Sequence, residues 1–76
     1  MSQSVQQFAV RGEYIQLDQL LKALGLCSSG GEAHSAVEAG AVEVDGQVES
    51  RKRAKLRPGQ VVEFNGERIE LIAEEE

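Results

Sequence analysis

Residues 17–46 read LDQLLKALGLCSSGGEAHSAVEAGAVEVDG, and the changes of period inside this stretch decide the fold class. Leu17, Leu20, Leu21 and Leu24 stand at i, i+3, i+4 and i+7, which gathers the leucines on one helical face. Asp18 in the first turn suits the positive end of the helix dipole, and Gly25 offers a left-handed stop. A first helix is therefore predicted over residues 17–24. Ser29 and Glu32 then form S-x-x-E, a capping box that opens a second helix. Its apolar positions are Ala33, Ala36 and Val37, again at helical spacing, and Gly40 closes it. From Ala41 the period falls to two: Val42, Val44 and Val48 alternate with Glu43, Asp45 and Glu49 around Asp45-Gly46, a type I′ hairpin signal.

Downstream, Pro58-Gly59 marks a turn, Val62 and Phe64 alternate, and Asn65-Gly66 leads into Ile69 and Leu71 around Glu70. That pattern predicts a second hairpin. Upstream, residues 1–7 are mostly polar and read as a frayed terminus, followed by a short strand at residues 8–10. The expected architecture is α+β, with two consecutive helices packed on a small antiparallel sheet. The expected division is an N-terminal segment at 1–12, one domain at 13–72 and an acidic tail at 73–76.

A chain of 76 residues has room for one domain and a thin core, since a domain of this size buries only about 60% of its unfolded surface. Its 41% hydrophobic content is enough to fold. The single cysteine, Cys27, excludes an internal disulfide and is too little for a cysteine-based zinc site, so no metal or cofactor is implied. Cys27 reads as a small hydrophobe at the helix junction. With His34 as the one histidine, no nucleophile, base and orienting group can be assembled, and no enzyme is expected. The start, MSQSVQQFAV, lacks the charge and apolar run of a secretory signal, and nothing approaches the ~20 apolar residues of a membrane span. The expectation is a monomeric cytoplasmic protein with no membrane partner and no small-molecule substrate.

The net charge of −5 argues against a polyanionic partner until its distribution is considered. Of the 8 basic residues, Arg51, Lys52, Arg53, Lys55 and Arg57 crowd into one acid-free run between the two hairpins. Arginine forks pair with phosphate oxygens and lysine adds a mobile point charge, so the run suits a phosphate backbone. It also fits a solubilising loop, a nuclear-localisation tract, or a docking loop for an acidic protein.

The turn Ser28-Ser29-Gly30-Gly31 presents unpaired N–H groups at a helix start, which is either a phosphate seat or simply a cap with a flexible turn. His34 falls on the side of the second helix opposite Ala33, Ala36 and Val37, available to RNA or inert. Lys22, on the first helix, is a further candidate contact. Phe8, Tyr14 and Phe64 are the only aromatics, and they make no evident base-stacking platform.

Three runs carry a family likeness: residues 15–22 (IQLDQLLK), Gly25-Leu26 with Ser29-Gly30-Gly31-Glu32-Ala33, and residues 40–46 (GAVEVDG). Over residues 13–72 the chain resembles the S-four-type RNA-binding domain, also called the alpha-L motif. Through Val48-Glu49-Ser50-Arg51-Lys52-Arg53 and Pro58-Gly59-Gln60-Val61-Val62-Glu63-Phe64 it resembles in particular the small stand-alone bacterial YbcJ-type proteins. The resemblance implies a non-catalytic protein for structured RNA, of the rRNA or tRNA class, and raises ribosome association. It implies an RNA-facing surface of the second helix, its preceding turn and a nearby strand edge. That family commonly has basic residues where this chain has Gln16, Gly30 and His34, which shifts the expected burden onto residues 51–57.

Overall fold

Asp45 (φ 52°) and Gly46 (φ 82°) both adopt left-handed backbone, which is the type I′ turn that the sequence predicts there, and Asn65 (φ 55°) and Gly66 (φ 81°) do the same in the second hairpin. The computed structural model describes residues 4–74. Its elements run β1 (Ser4–Val10), β2 (Ile15–Gln16), α1 (Leu17–Ala23), α2 (Gly30–Glu38), β3 (Val42–Val44), β4 (Gln47–Val48), β5 (Lys55–Leu56), β6 (Val61–Phe64) and β7 (Glu67–Ala73). A five-stranded sheet has the order β1-β7-β6-β3-β4, and β2 with β5 forms a separate two-stranded ladder.

Two helices on a sheet is the expected α+β arrangement, but the sheet is mixed rather than wholly antiparallel. β1 lies parallel to β7, with Phe8 opposite Leu71 and Val10 opposite Ala73. Residues 4–7, expected to fray, are thus part of a seven-residue strand. One polar side chain there has a partner across the ladder: Gln6 Nε2 donates to Glu67 Oε1 at 2.7 Å. The Glu74 N–H donates to the Val10 carbonyl at 3.1 Å, continuing the ladder past β7. Residues 1–3, and Glu75 and Glu76 of the acidic tail, lie outside the described residues.

Both helices end in the same way. Gly25 (φ 75°) and Gly40 (φ 74°) take the left-handed position, and the residues after them, Leu26 and Ala41, donate back to the carbonyls of Leu21 and Ala36. This Schellman closure satisfies carbonyls that would otherwise be left over and turns the chain sharply after each helix. The helices therefore present their apolar faces inward together: Leu17, Leu20 and Leu21 from α1 and Ala33 and Val37 from α2 are buried against Val42, Val62, Ile69 and Leu71 of the sheet. Cys27 is buried among them at the helix junction, as expected. Among the described residues, no helix is long and apolar enough to cross a membrane.

Candidate nucleic-acid interface

Helix α1 starts without a side-chain cap, because Gln16 at its N-cap contributes no hydrogen bond from its side chain. Its first amides are taken instead by the basic run. Leu17 N–H donates to the Ala54 carbonyl at 3.0 Å and Asp18 N–H to the Lys52 carbonyl at 2.8 Å. Arg51 C=O accepts from Ala54 N–H at 3.2 Å, and β5 pairs with β2 through Ile15↔Leu56 and Gln16↔Lys55. Ala54 and Leu56 are buried on either side of the exposed Lys55. Residues 51–57, expected as a connecting loop, are thus an ordered shelf anchored through backbone and core.

From this shelf Arg51, Arg53, Lys55 and Arg57 project into solvent, while Lys52 is half-buried. Residues 51–55 border an open concavity of about 860 Å³. One cation is partly offset: Arg51 Nε lies 3.4 Å from Glu49 Oε2, an oxygen that also accepts the Arg51 N–H at 3.0 Å. At this exposure such a pair is weak and would yield to a phosphate. Arg57 is fixed at its backbone, where its N–H donates to Gln60 Oε1 at 2.7 Å. Lys55 Nζ stands 5.1 Å from the centre of the Tyr14 ring.

Helix α2 borders the shelf through His34. Its Nε2 is 3.1 Å from Glu38 Oε2 and its Nδ1 is 3.4 Å from Lys52 Nζ. A neutral ring protonated on Nε2 satisfies both contacts, donating to the carboxylate and accepting from the ammonium. The side of α2 opposite its apolar face thus carries a half-buried, partnered histidine rather than a free one.

At the start of α2, Ser29 Oγ accepts the Glu32 N–H at 3.2 Å, the expected cap. The Glu32 carboxylate turns to Ser28, whose Oγ donates to Oε2 at 2.8 Å. A negative group therefore already occupies the positive end of this helix, beside exposed Gly30 and Gly31. A β-carbon built on Gly30 would meet nothing within 4 Å, so packing does not demand glycine there. Lys22 is exposed in the last turn of α1, one turn beyond Asp18, and is not drawn into the Lys52–His34–Glu38 chain. Burial pushes the Cys27 thiol up, and the nearby Glu32 charge adds to it. Among the described residues, no three His, Cys, Asp or Glu side chains are placed to hold a metal ion.

The family model of the S4 domain matches residues 8–72, spanning both helices, the basic shelf and the sheet. The chain belongs to the S4 domain family. This S4 domain is 43% identical over 60 residues to the "Putative RNA-binding protein YbcJ" of Escherichia coli (strain K12), a match covering 79% of this chain and 86% of that one. It superimposes on the solution structure of E. coli YbcJ with a TM-score of 0.65 and 36% identity, covering 96% of this chain and 91% of that one; that structure is described as revealing an αL motif involved in RNA binding. It is also 41% identical over 64 residues to the tyrosine–tRNA ligase of Ralstonia nicotianae, but there the match covers only 16% of the ligase.

Two elements of this S4 domain's site have no strong sequence signal. The β2 and β5 strands are two residues each, too short for a period to show. The one available hint is Ala54 and Leu56, apolar at i and i+2 around Lys55. Tyr14 carries no mark in the sequence of its place beside Lys55, because only the β2–β5 pairing brings the two together.

Proposed function

We propose that this chain is a non-catalytic RNA-binding protein, acting in the cytoplasm as a monomer on structured RNA of the rRNA or tRNA class. It reads shape and phosphate positions rather than sequence. The observation that carries this reading is the fixing of the basic run by the Leu17–Ala54 and Asp18–Lys52 hydrogen bonds, at 3.0 and 2.8 Å. Cations on a rigid support lose less freedom on meeting phosphates than cations on a loose loop. The RNA-binding description of YbcJ supports the same reading. Neither candidate nucleophile or base favours chemistry: Cys27 is buried with its thiol pushed up, and both ring nitrogens of His34 are engaged.

If three to five of the shelf cations neutralise phosphates, log affinity falls against log salt with a slope of roughly −2 to −4. Replacing Arg51, Arg53 and Arg57 together with Glu should abolish binding to a folded RNA and leave the thermal melt nearly unchanged, since these side chains are exposed. Lys52 is left intact because its side chain reaches His34. A flat salt response and full binding by the triple variant would overturn the proposal and favour a docking loop for an acidic protein.

A further inference from the structure

We infer that Tyr14 is a base-stacking residue, so that the RNA recognised presents an unpaired nucleotide beside the phosphates held by the shelf. This rests on the RNA-binding reading above and adds what kind of RNA satisfies it. The protein has 1 Tyr, 2 Phe and no Trp. Phe8 and Phe64 pack against the core, whereas Tyr14 is 40% exposed. It directly precedes β2, and the pairing of Gln16 with Lys55 brings the ammonium of Lys55 to 5.1 Å from the ring centre. Lys55 also lines the concavity with Arg51, Lys52 and Arg53.

An exposed aromatic ring next to a row of cations is the combination by which proteins hold unpaired bases: the ring stacks on the base while the cations take the flanking phosphates, and here the Lys55 ammonium that lies over the ring would give way to the base. A perfectly paired stem offers that ring nothing, because its bases are stacked on one another and its major groove is too deep and narrow to read. A bulged or looped nucleotide offers a free face. The cation beside the ring suits the same event, since Lys55 is close enough to meet a phosphate of the nucleotide that Tyr14 holds.

The chain is well suited to the test, because with 1 Tyr and no Trp its intrinsic emission reports on this ring alone. Two RNAs are compared: a hairpin with a single unpaired adenosine bulge, and the same hairpin with the bulge removed. The bulged RNA is expected to quench the tyrosine emission and to bind roughly 5- to 150-fold more tightly. Tyr14→Ala and Tyr14→Leu should bring both RNAs to the affinity of the paired hairpin with the salt slope unchanged, while Tyr14→Phe keeps the preference. Salt-sensitive binding to both hairpins with equal affinity and unchanged emission would overturn the inference and leave the phosphate-binding reading standing. A preference retained by Tyr14→Leu would also overturn it, showing apolar contact rather than stacking. Failure of both hairpins to bind at low salt would overturn both readings.

Discussion

The carbonyl of Lys52 accepts the main-chain N–H of Asp18 at 2.8 Å, while the ammonium of the same lysine reaches Nδ1 of His34 at 3.4 Å. One residue thereby ties the start of α1 to the face of α2 and holds the basic shelf against both. First-turn amides of a helix ordinarily lack partners and exchange quickly with solvent. Here Leu17 and Asp18 are expected to be protected in native-state hydrogen exchange, to a degree approaching that of the helix interior. Rapid exchange at both amides would mean that the shelf detaches from the helix in solution.

Leu20 and Leu21 are completely buried between α1 and the sheet. Leu20→Ala or Leu21→Ala is expected to cost about 2 to 5 kcal/mol in a denaturant or thermal melt. In a domain of this size that can be most of the stability. Unchanged melts for both variants would mean that this face is not the core.

Ser29 caps α2 by accepting the Glu32 N–H at 3.2 Å, on an exposed turn. Ser29→Ala should destabilise by roughly 0.5 to 2 kcal/mol. The Glu32 carboxylate sits where an anion would enter, so binding of RNA by the folded fraction should barely change. A loss of affinity larger than the melt explains would return this turn to the interface.

Burial, and then the charge of Glu32, raise the Cys27 thiol pKa above its ordinary value of 9.0. The folded state therefore keeps its thiol proton at a pH where the unfolded chain has lost it. The resulting stability is fully present below about pH 9, where both states are protonated, and is lost as pH rises from there through the folded thiol's own range. Cys27→Ser or Cys27→Ala should flatten that alkaline fall in a pH series of melts. Alkylation of the native protein at pH 8 should be far slower than in denaturant, and equal rates would contradict the burial.

Much of this was legible in the sequence because it is written in local spacing. The leucine period of α1, the Ser29 cap, the Gly25 and Gly40 stops and the two type I′ turns each occupy a few adjacent residues. The pairing of β1 with β7 leaves no such trace: Gln6 and Gln7 carry no apolar alternation, and the partner strand is distant in sequence. The basic run was visible as charge but not as structure, since what orders it are backbone carbonyls of Lys52 and Ala54, which any residue type would supply. The spacing of α2 sets His34 off its apolar positions and so reads as exposed, whereas Lys52 and Glu38 make it a half-buried connection rather than an idle surface group. Lys22 and the Ser29-Gly30-Gly31 turn are exposed, but the Glu32 carboxylate beside that turn, held by Ser28, has no signature in the spacing that marks the cap.

Each residue of β1 pairs with one 63 positions further along, from Ser4↔Glu67 to Val10↔Ala73. On a ribosome releasing roughly 5 to 20 residues per second, the first described strand must therefore wait for the last. The hairpins and the helix pair close over short stretches and can form as they emerge, while β1 stays single until β7 arrives. Assembly of the sheet thus ends at the pair joining its earliest and latest strands, and the apolar side of Phe8 and Val10 is sheltered only at that final step.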